Sequence, residues 1–282
     1  MSAGQQRRPR LIVSDLDGTF LSPDGTVSDL NAAAVKSAQA AGIPVVFATG
    51  RPVRWLDVIA DLPGAHPIVI ASNGAVLWDQ ANGETLQRTC LDTDELRRAI
   101  EVTRTTVPEA ALALESGMDF GHDERYVLLA AVRSADAAAL HGVGVADIDE
   151  LATRGDHVKL LVQHPRMGSE RLLELIGPLL GDALQPTHSG FTRPELGEAG
   201  LLEISAGGVT KASMLAYCCT QLGIDAADVA GFGDMPNDVD MLSWVGMPHI
   251  VANAHPSLRG RYPSVPSNAD SGVGRTILGW LR

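Results

Sequence analysis

The sequence predicts an α/β fold in which a parallel sheet is interrupted by a second, α+β domain. Short apolar segments alternate with helical segments over the first 71 residues. The middle of the chain loses this alternation, and the alternation returns from about residue 205. Strand–helix–strand alternation is typical of a parallel sheet with helices on both faces. The middle is therefore predicted to be an insertion into the sheet domain.

The first part of the predicted sheet has three buried strands. These apolar runs cover residues 11–14, 45–48 and 68–71. Ser28 is suited to cap a helix that ends near Gly42, and a second helix is predicted over 53–61. Each strand ends in small or polar residues, and ligands bind at the carboxyl ends of such strands.

The middle of the chain combines short strands with two helices. A hairpin is predicted over 75–89 and helices over 94–105 and 166–180. The strand candidates are residues 111–115, 127–132, 158–162, 183–187 and 201–204. We predict a catalytic core of residues 10–82 and 200–282, an inserted cap domain of residues 83–199, and a flexible tail of residues 1–9.

The last part of the chain returns to strand and helix alternation. A helix is predicted over 211–222, a strand over 229–232, a helix over 237–244 and a strand over 250–252.

Composition and charge restrict the classes of function. The chain has 282 residues and a net charge of −12, which disfavours binding to nucleic acid. No stretch has the length of a membrane span, and three cysteines do not make a disulfide framework. We therefore expect a cytoplasmic protein. An acidic protein can still bind a small phosphate, provided that a metal ion and a lysine or arginine lie at the site. A homo-oligomer is left open.

The first chemical motif is Asp15-Leu-Asp17-Gly18-Thr19, directly after the first predicted strand. Two carboxylates at positions i and i+2 point the same way, and Gly18 permits a sharp turn. Such a pair can bind a divalent cation, or serve as nucleophile and general acid/base. Taken alone, the motif is equally consistent with a polar turn.

Three further segments carry matching chemistry. Asp234 and Asp238 again follow a predicted strand, although a helix cap and dipole partner would explain them too. Lys211 lies in the first turn of a helix, where an anionic ligand would relieve its repulsion by the helix dipole. The Thr49 hydroxyl and the Thr49–Gly50 peptide can grip phosphate oxygens.

The order of these segments resembles the haloacid dehalogenase superfamily of phosphatases, in its Cof-like branch. The matching segments are Asp15-Leu-Asp-Gly-Thr, Ala48-Thr-Gly-Arg-Pro, Ser72-Asn-Gly-Ala, Gly208-Val-Thr-Lys and Gly231-Phe-Gly-Asp-Met-Pro-Asn-Asp. The resemblance covers the sheet domain at both ends of the chain and implies a Rossmann-like core. The middle fits the family's large α/β cap of the C2 type, although residues 190–200 look longer than a minimal return to the core.

The resemblance also implies roles for individual residues. Asp15 would be the nucleophile that becomes an aspartyl phosphate, and Asp17 the general acid/base. Mg²⁺ would be bound by Asp15, the carbonyl of Asp17, Asp234 and Asp238, the last directly or through water. The residues expected on the phosphate side are Thr49, Gly50, Arg51, Asn73, Lys211 and Asn237. Asn253, Asn268 and Asp270 lie in segments that resemble family loops near the metal, and Asn268 and Asp270 fit a turn equally well.

The leading function is therefore Mg²⁺-dependent hydrolysis of a small phosphate monoester, such as a sugar phosphate. A phosphomutase or phosphotransferase could use the same nucleophile. A non-catalytic phosphate sensor is a second alternative, although the complete set of acids and Lys211 disfavours it. Carbon–halogen cleavage is a third, and the acidic pair Asp234 and Asp238 disfavours it because that chemistry needs no metal.

Overall fold

The structure is a computed structural model that describes residues 8–60, 62, 67–126, 143–188 and 200–282. Three sequence predictions fall wholly or mostly outside these residues, namely the strand at 127–132, the long return at 190–200 and the tail at 1–9. Within the described residues, no helix is long and apolar enough to cross a lipid bilayer.

The described residues form both strands and α-helices. The strands are β1 Leu11–Ser14, β2 Val45–Ala48, β3 Ile68–Ala71, β4 Val76–Asp79, β5 Glu84–Arg88, β6 Ala111–Ser116, β7 Asp119–His122, β8 Val143–Val145, β9 Lys159–His164, β10 Leu184–His188, β11 Gly200–Ala206, β12 Val229–Gly233, β13 Met247–Val251 and β14 Ser264–Val265. The α-helices are α1 Asp29–Ala40, α2 Thr93–Thr106, α3 Ile148–Ala152, α4 Ser169–Leu180, α5 Lys211–Leu222, α6 Val239–Trp244 and α7 Gly272–Trp280.

The first compact unit comprises Met1–Arg51, Trp55–Gln87 and Thr210–Arg282. Its sheet has the order β14-β13-β12-β1-β2-β3-β4-β5. The strands from β14 to β3 pair in parallel, and β4 pairs antiparallel with β3. The predicted α/β fold with a parallel-sheet core is therefore confirmed. Because β1 lies between β12 and β2, residues from both ends of the chain meet at the centre of the sheet.

The second compact unit comprises Pro52–Arg54 and Arg88–Val209. Its sheet has the order β10-β11-β9-β6-β7-β8, and one face is covered by α2, α3 and α4. The predicted core domain resumes at residue 200, whereas the first unit resumes at Thr210. The difference arises because β11 is a buried strand that pairs antiparallel with both β9 and β10.

The predicted helix over 53–61 is wrong where the structure describes it. Two short 3₁₀ turns, Val53–Trp55 and Asp57–Ile59, occupy this segment. A segment this short forms an isolated α-helix poorly because nucleation is costly, and its β-branched side chains lower the propensity further.

Helix α7 has no counterpart among the predicted elements, and its three glycines in nine residues give it a low helix propensity. Packing explains it. The N–H of Gly274 donates to the Asn31 side chain of α1 at 2.9 Å. A Cβ at position 274 would lie 2.5 Å from Asn31 Oδ1, so only glycine allows this close approach.

Candidate active site

Residues predicted to bind the metal ion or the phosphate lie at the carboxyl ends of four neighbouring strands in the first unit. Asp15 follows β1, Thr49 follows β2, Asn73 follows β3 and Asp234 follows β12. Because these strands are parallel and adjacent, their ends meet at one edge of the sheet.

Lys211 lies at the centre of this edge. It is the first residue of α5, whose N-cap Thr210 forms a capping box with Ser213. Its Nζ donates to Asp15 Oδ1 at 2.6 Å and to Asp238 Oδ1 at 2.7 Å, and all three side chains are buried. Burial alone lowers the pKa of Lys211, but the attraction of Asp15 and Asp238 outweighs it and raises the pKa. The ammonium group therefore stays charged.

Asp15, Asp234 and Asp238 form a buried acidic trio. One carboxylate oxygen from each lies within 4.8 Å of the others. Burial raises the pKa of Asp15 well above its usual value, and Lys211 only partly offsets this, while Asp238, Asp234 and Asp17 raise it further. Burial, followed by the charge of Asp238, raises the pKa of Asp234 to about 7. Both pKa values are raised mainly by burial and further by neighbouring carboxylates, and the charge of Lys211 offsets this only in part.

A divalent cation fits this donor set. Mg²⁺ prefers carboxylate oxygens, and the trio offers three of them at one point beside a single ammonium group. Asp238 is fixed for this role because its Oδ2 accepts from the N–H groups of Asp234 and Met235, at 2.9 and 3.0 Å.

The loop after β1 is shaped to reach the trio. Gly18 has a φ of +79°, and a Cβ there would lie 2.4 Å from Asp234 Oδ2. The next residue, Thr19, donates from Oγ1 to Asp234 Oδ1 at 2.8 Å. Glycine and threonine in this motif are therefore explained by contact with an acid 215 residues later in the chain.

Asp17 is placed differently from Asp15. Its side chain is 47% exposed and does not belong to the acidic trio. Arg51 donates to both of its oxygens, from Nε to Oδ2 at 2.8 Å and from Nη2 to Oδ1 at 2.6 Å.

The remaining residues that are predicted to bind phosphate contact one another beside Lys211. The Asn73 N–H donates to the Thr49 carbonyl at 2.9 Å, and Asn237 Nδ2 donates to Asn73 Oδ1 at 3.3 Å. A Cβ on Gly50 would lie 3.2 Å from the same Asn73 oxygen. The turn at Asn73 thus holds the loops after β2 and β12 together.

Two asparagines whose function the sequence left undecided support the loop after β1. Asn253 Nδ2 donates to the Gly18 carbonyl at 2.7 Å, and Asn253 Oδ1 accepts from the Asn268 N–H at 2.9 Å. Asn268 Nδ2 then donates to the Leu21 carbonyl at 2.9 Å. Their spacing in the sequence gives no signal for this contact. Asp270, by contrast, accepts from Ser267 Oγ within a local turn.

Comparison with known proteins agrees with this geometry. A family model described as haloacid dehalogenase-like hydrolase matches residues 12–277. An HMP-PP phosphatase from Enterobacter sp. strain 638 is 28% identical over 260 residues, covering 91% of this chain and 89% of that protein. A 5-amino-6-(5-phospho-D-ribitylamino)uracil phosphatase from Bacillus subtilis is 24% identical over 275 residues, covering 96% of each.

Solved structures share the same fold. A phosphatase of the haloalkanoate superfamily from Bacteroides thetaiotaomicron superposes with a TM-score of 0.78 at 23% identity, covering 99% of this chain and 98% of that one. A haloacid dehalogenase-like hydrolase from B. subtilis has a TM-score of 0.77 at 23% identity, covering 95% of this chain and 99% of that one.

Proposed function

The chain belongs to the haloacid dehalogenase-like hydrolases, and on that premise we propose that it is a Mg²⁺-dependent phosphohydrolase acting on small phosphate monoesters. The observation that carries the proposal is the contact of Lys211 with Asp15 and Asp238, beside Asp234. It combines a carboxylate nucleophile, a fixed positive charge and a set of oxygen ligands at one point.

Asp15 is the proposed nucleophile. One of its oxygens attacks the phosphorus, the bond from phosphorus to the leaving oxygen breaks, and Asp17 gives that oxygen a proton. Water then attacks the phosphorus of the aspartyl phosphate and gives its proton to Asp17. The bond from Asp15 to phosphorus breaks, which releases inorganic phosphate and restores both acids.

An anion attacking a phosphate must overcome charge repulsion. Lys211 supplies one positive charge directly beside Asp15. Asp15, the carbonyl of Asp17, Asp234 and Asp238 are the groups that would hold Mg²⁺, which when bound supplies further positive charge to the phosphoryl group. Thr49, Gly50, Asn73, Lys211 and Asn237 are proposed to hold the phosphoryl oxygens. The hydrogen bonds of Asn73 with Thr49 and Asn237, and its closeness to Gly50, support this grouping.

The substrate is proposed to be a small phosphorylated metabolite. Two relatives that align with nearly the whole chain are named as an HMP-PP phosphatase and a 5-amino-6-(5-phospho-D-ribitylamino)uracil phosphatase. We assign the choice of leaving group to the inserted cap, predicted at residues 83–199. A cytoplasmic location is proposed because Cys90, Cys218 and Cys219 are all unpaired thiols.

The test is phosphate release from 4-nitrophenyl phosphate and a panel of sugar phosphates, with and without Mg²⁺. We expect Mg²⁺-dependent turnover that Asp15→Asn abolishes while the circular dichroism spectrum stays unchanged. Turnover retained in Asp15→Asn would overturn the mechanism. An isomerised sugar phosphate without free phosphate would instead identify a mutase.

A further inference from the structure

The contact between Arg51 and Asp17 assigns a role to Arg51. We propose that Arg51 is a positioning residue that sets the orientation of the Asp17 carboxylate, and that it does not bind the phosphate. This inference rests on the proposed function, in which Asp17 transfers the proton. It replaces the expectation, drawn from the motif alone, that Arg51 lies on the phosphate side.

The guanidinium group of Arg51 uses three of its five N–H donors on protein acceptors. Nε and Nη2 donate to the two oxygens of Asp17 at 2.8 and 2.6 Å, and Nη1 donates to the Trp55 carbonyl at 3.2 Å. Each of its three nitrogens therefore has a protein partner, and the edge that carries Nε and Nη2, which would meet a phosphate bidentately, is taken by Asp17.

The backbone of Arg51 is fixed as well. Its N–H donates to Thr49 Oγ1 at 3.0 Å, and its carbonyl accepts from the Ser72 N–H at 2.9 Å. The guanidinium thus projects from a loop that is closed on itself at Thr49 and tied to the loop after β3 at Ser72. A planar fork that meets both oxygens of a carboxylate fixes the plane of that carboxylate as well as its distance.

Asp17 needs such a partner. Its side chain is 47% exposed, whereas that of Arg51 is 22% exposed, so Arg51 is the more firmly packed of the two. Asp15 and Asp234 repel the Asp17 carboxylate. Arg51 opposes this repulsion through its direct contact with both Asp17 oxygens. Each Asp17 oxygen has a second lone pair, so Asp17 can accept from Arg51 and still carry a proton to the leaving oxygen.

The effect of Arg51 should therefore depend on how much the leaving group needs a proton. Phenyl phosphate and 4-nitrophenyl phosphate have nearly the same shape, but 4-nitrophenolate leaves readily without protonation. For Arg51→Gln we expect kcat/KM on phenyl phosphate to fall about 10- to 100-fold, in line with the loss of an oriented general acid. On 4-nitrophenyl phosphate the fall should stay below about 3-fold. Competitive inhibition by inorganic phosphate should be unchanged.

Arg51→Lys keeps the charge but not the fork, so it should recover only part of the loss on phenyl phosphate. Arg98 provides a matched control in the second unit, because it donates from Nε and Nη2 to Glu95 at 2.9 and 2.6 Å. Arg98→Gln should leave both substrates unaffected. If Arg51→Gln fails to fold, the comparison is made with Arg51→Lys.

Equal losses on both substrates together with weaker inhibition by phosphate would overturn the proposal, because they identify Arg51 as a phosphate ligand. No loss on either substrate would also overturn it. Neither result would touch the proposed function, which fails separately if Asp15→Asn retains activity.

Discussion

Each unit of the molecule buries one lysine among carboxylates, and the two clusters differ in charge balance. In the first unit Lys211 contacts Asp15 and Asp238, and Asp234 adds a third carboxylate. In the second unit the ion pair of Lys159 with Glu203, at 2.8 Å, is accompanied by that of Arg54 with Glu115, at 3.5 Å. The first cluster sets one cation against three anions, and the second sets two against two.

The difference shows that burial of charge does not by itself mark a reactive site. In the second cluster burial lowers the pKa of Lys159, but Glu203 and Glu115 outweigh this, and the charges satisfy one another. In the first cluster burial is the largest cause of the raised pKa of Asp15 and Asp234, and neighbouring carboxylates raise it further. An additional cation, or protons taken up by the carboxyl groups, balances that cluster. An excess of like charge held in place by the fold is therefore the better indicator of a metal site.

Exchanging each lysine for methionine tests this comparison most strongly. Lys211→Met should lower kcat/KM for 4-nitrophenyl phosphate by about 10³-fold, because a fixed charge at the phosphoryl group is lost. Lys159→Met should instead cost about 3–5 kcal/mol of unfolding free energy, because Glu203 remains buried without its cation. The Mg²⁺ affinity of the Lys159→Met variant, measured by calorimetry, should be unchanged. Comparable losses of activity in both variants would break the distinction.

The pH dependence of stability without metal should report the raised pKa of Asp234. The pKa of Asp234 is about 7 in the folded protein and 3.8 by default, so the folded state binds more protons than the unfolded chain between these values. Stability should therefore fall as the pH rises from about 4 to about 7, by up to about 4 kcal/mol.

Urea unfolding at pH 5 and pH 7.5 measures this slope. Mg²⁺ should reduce the loss at pH 7.5 because it binds the ionised carboxylates of the folded state. Asp234→Asn should flatten the slope. An identical slope in that variant would show that the surplus charge does not reside at Asp234.

Two glycines with the same backbone conformation allow the cost of backbone strain to be measured separately from the cost of a contact with Asp234. Gly18 and Gly25 have φ of +79° and +81°, but only at Gly18 would a Cβ meet Asp234, at 2.4 Å. Alanine at either position should cost about 1 kcal/mol of stability from the left-handed backbone. Gly18→Ala should in addition weaken Mg²⁺ binding about 10-fold or more, because the added Cβ would displace Asp234, a proposed ligand of the ion. Equal Mg²⁺ affinities in the two variants would contradict this reading.

The smallest expected effect concerns Asn253. Asn253→Ala removes the hydrogen bonds to the Gly18 carbonyl and from the Asn268 N–H. We expect a loss of about 1–2 kcal/mol in stability and a fall of about 3- to 10-fold in kcat/KM, because the loop that carries Asp15 and Asp17 is less firmly held. Asn82→Ala, in an exposed turn where Asn82 contacts Asp79, is the control and should change neither quantity.

The sequence predicts which residues lie at the functional edge of the sheet better than it predicts the contacts between their side chains. Asp15, Thr49, Asn73 and Asp234 could be placed together because the ends of adjacent parallel strands converge whatever the side chains do. The hairpin over 75–89 also appears as neighbouring strands β4 and β5. Periodicity failed where packing outweighs propensity, as in glycine-rich α7, and where nucleation fails, as in the 3₁₀ turns after Pro52.

Side-chain partnerships distant in sequence could not be predicted. Nothing in the motif around Arg51 indicates that its guanidinium holds Asp17, since the two residues lie 34 positions apart. The link from Asn253 to Gly18 spans 235 positions. Such contacts depend on the exact meeting of loops, which a strand and helix pattern does not specify.

The position of β1 between β2 and β12 has a consequence for synthesis on the ribosome. Thr19 is translated 215 residues before its partner Asp234. At typical elongation rates of about 5–20 residues per second, this interval lasts on the order of 10–40 seconds. Until β12 emerges, β1 has no neighbour on that side and presents an open hydrogen-bonding edge. The nascent chain is therefore most exposed to mispairing during translation of the second unit, and we expect chaperone binding to peak in that interval.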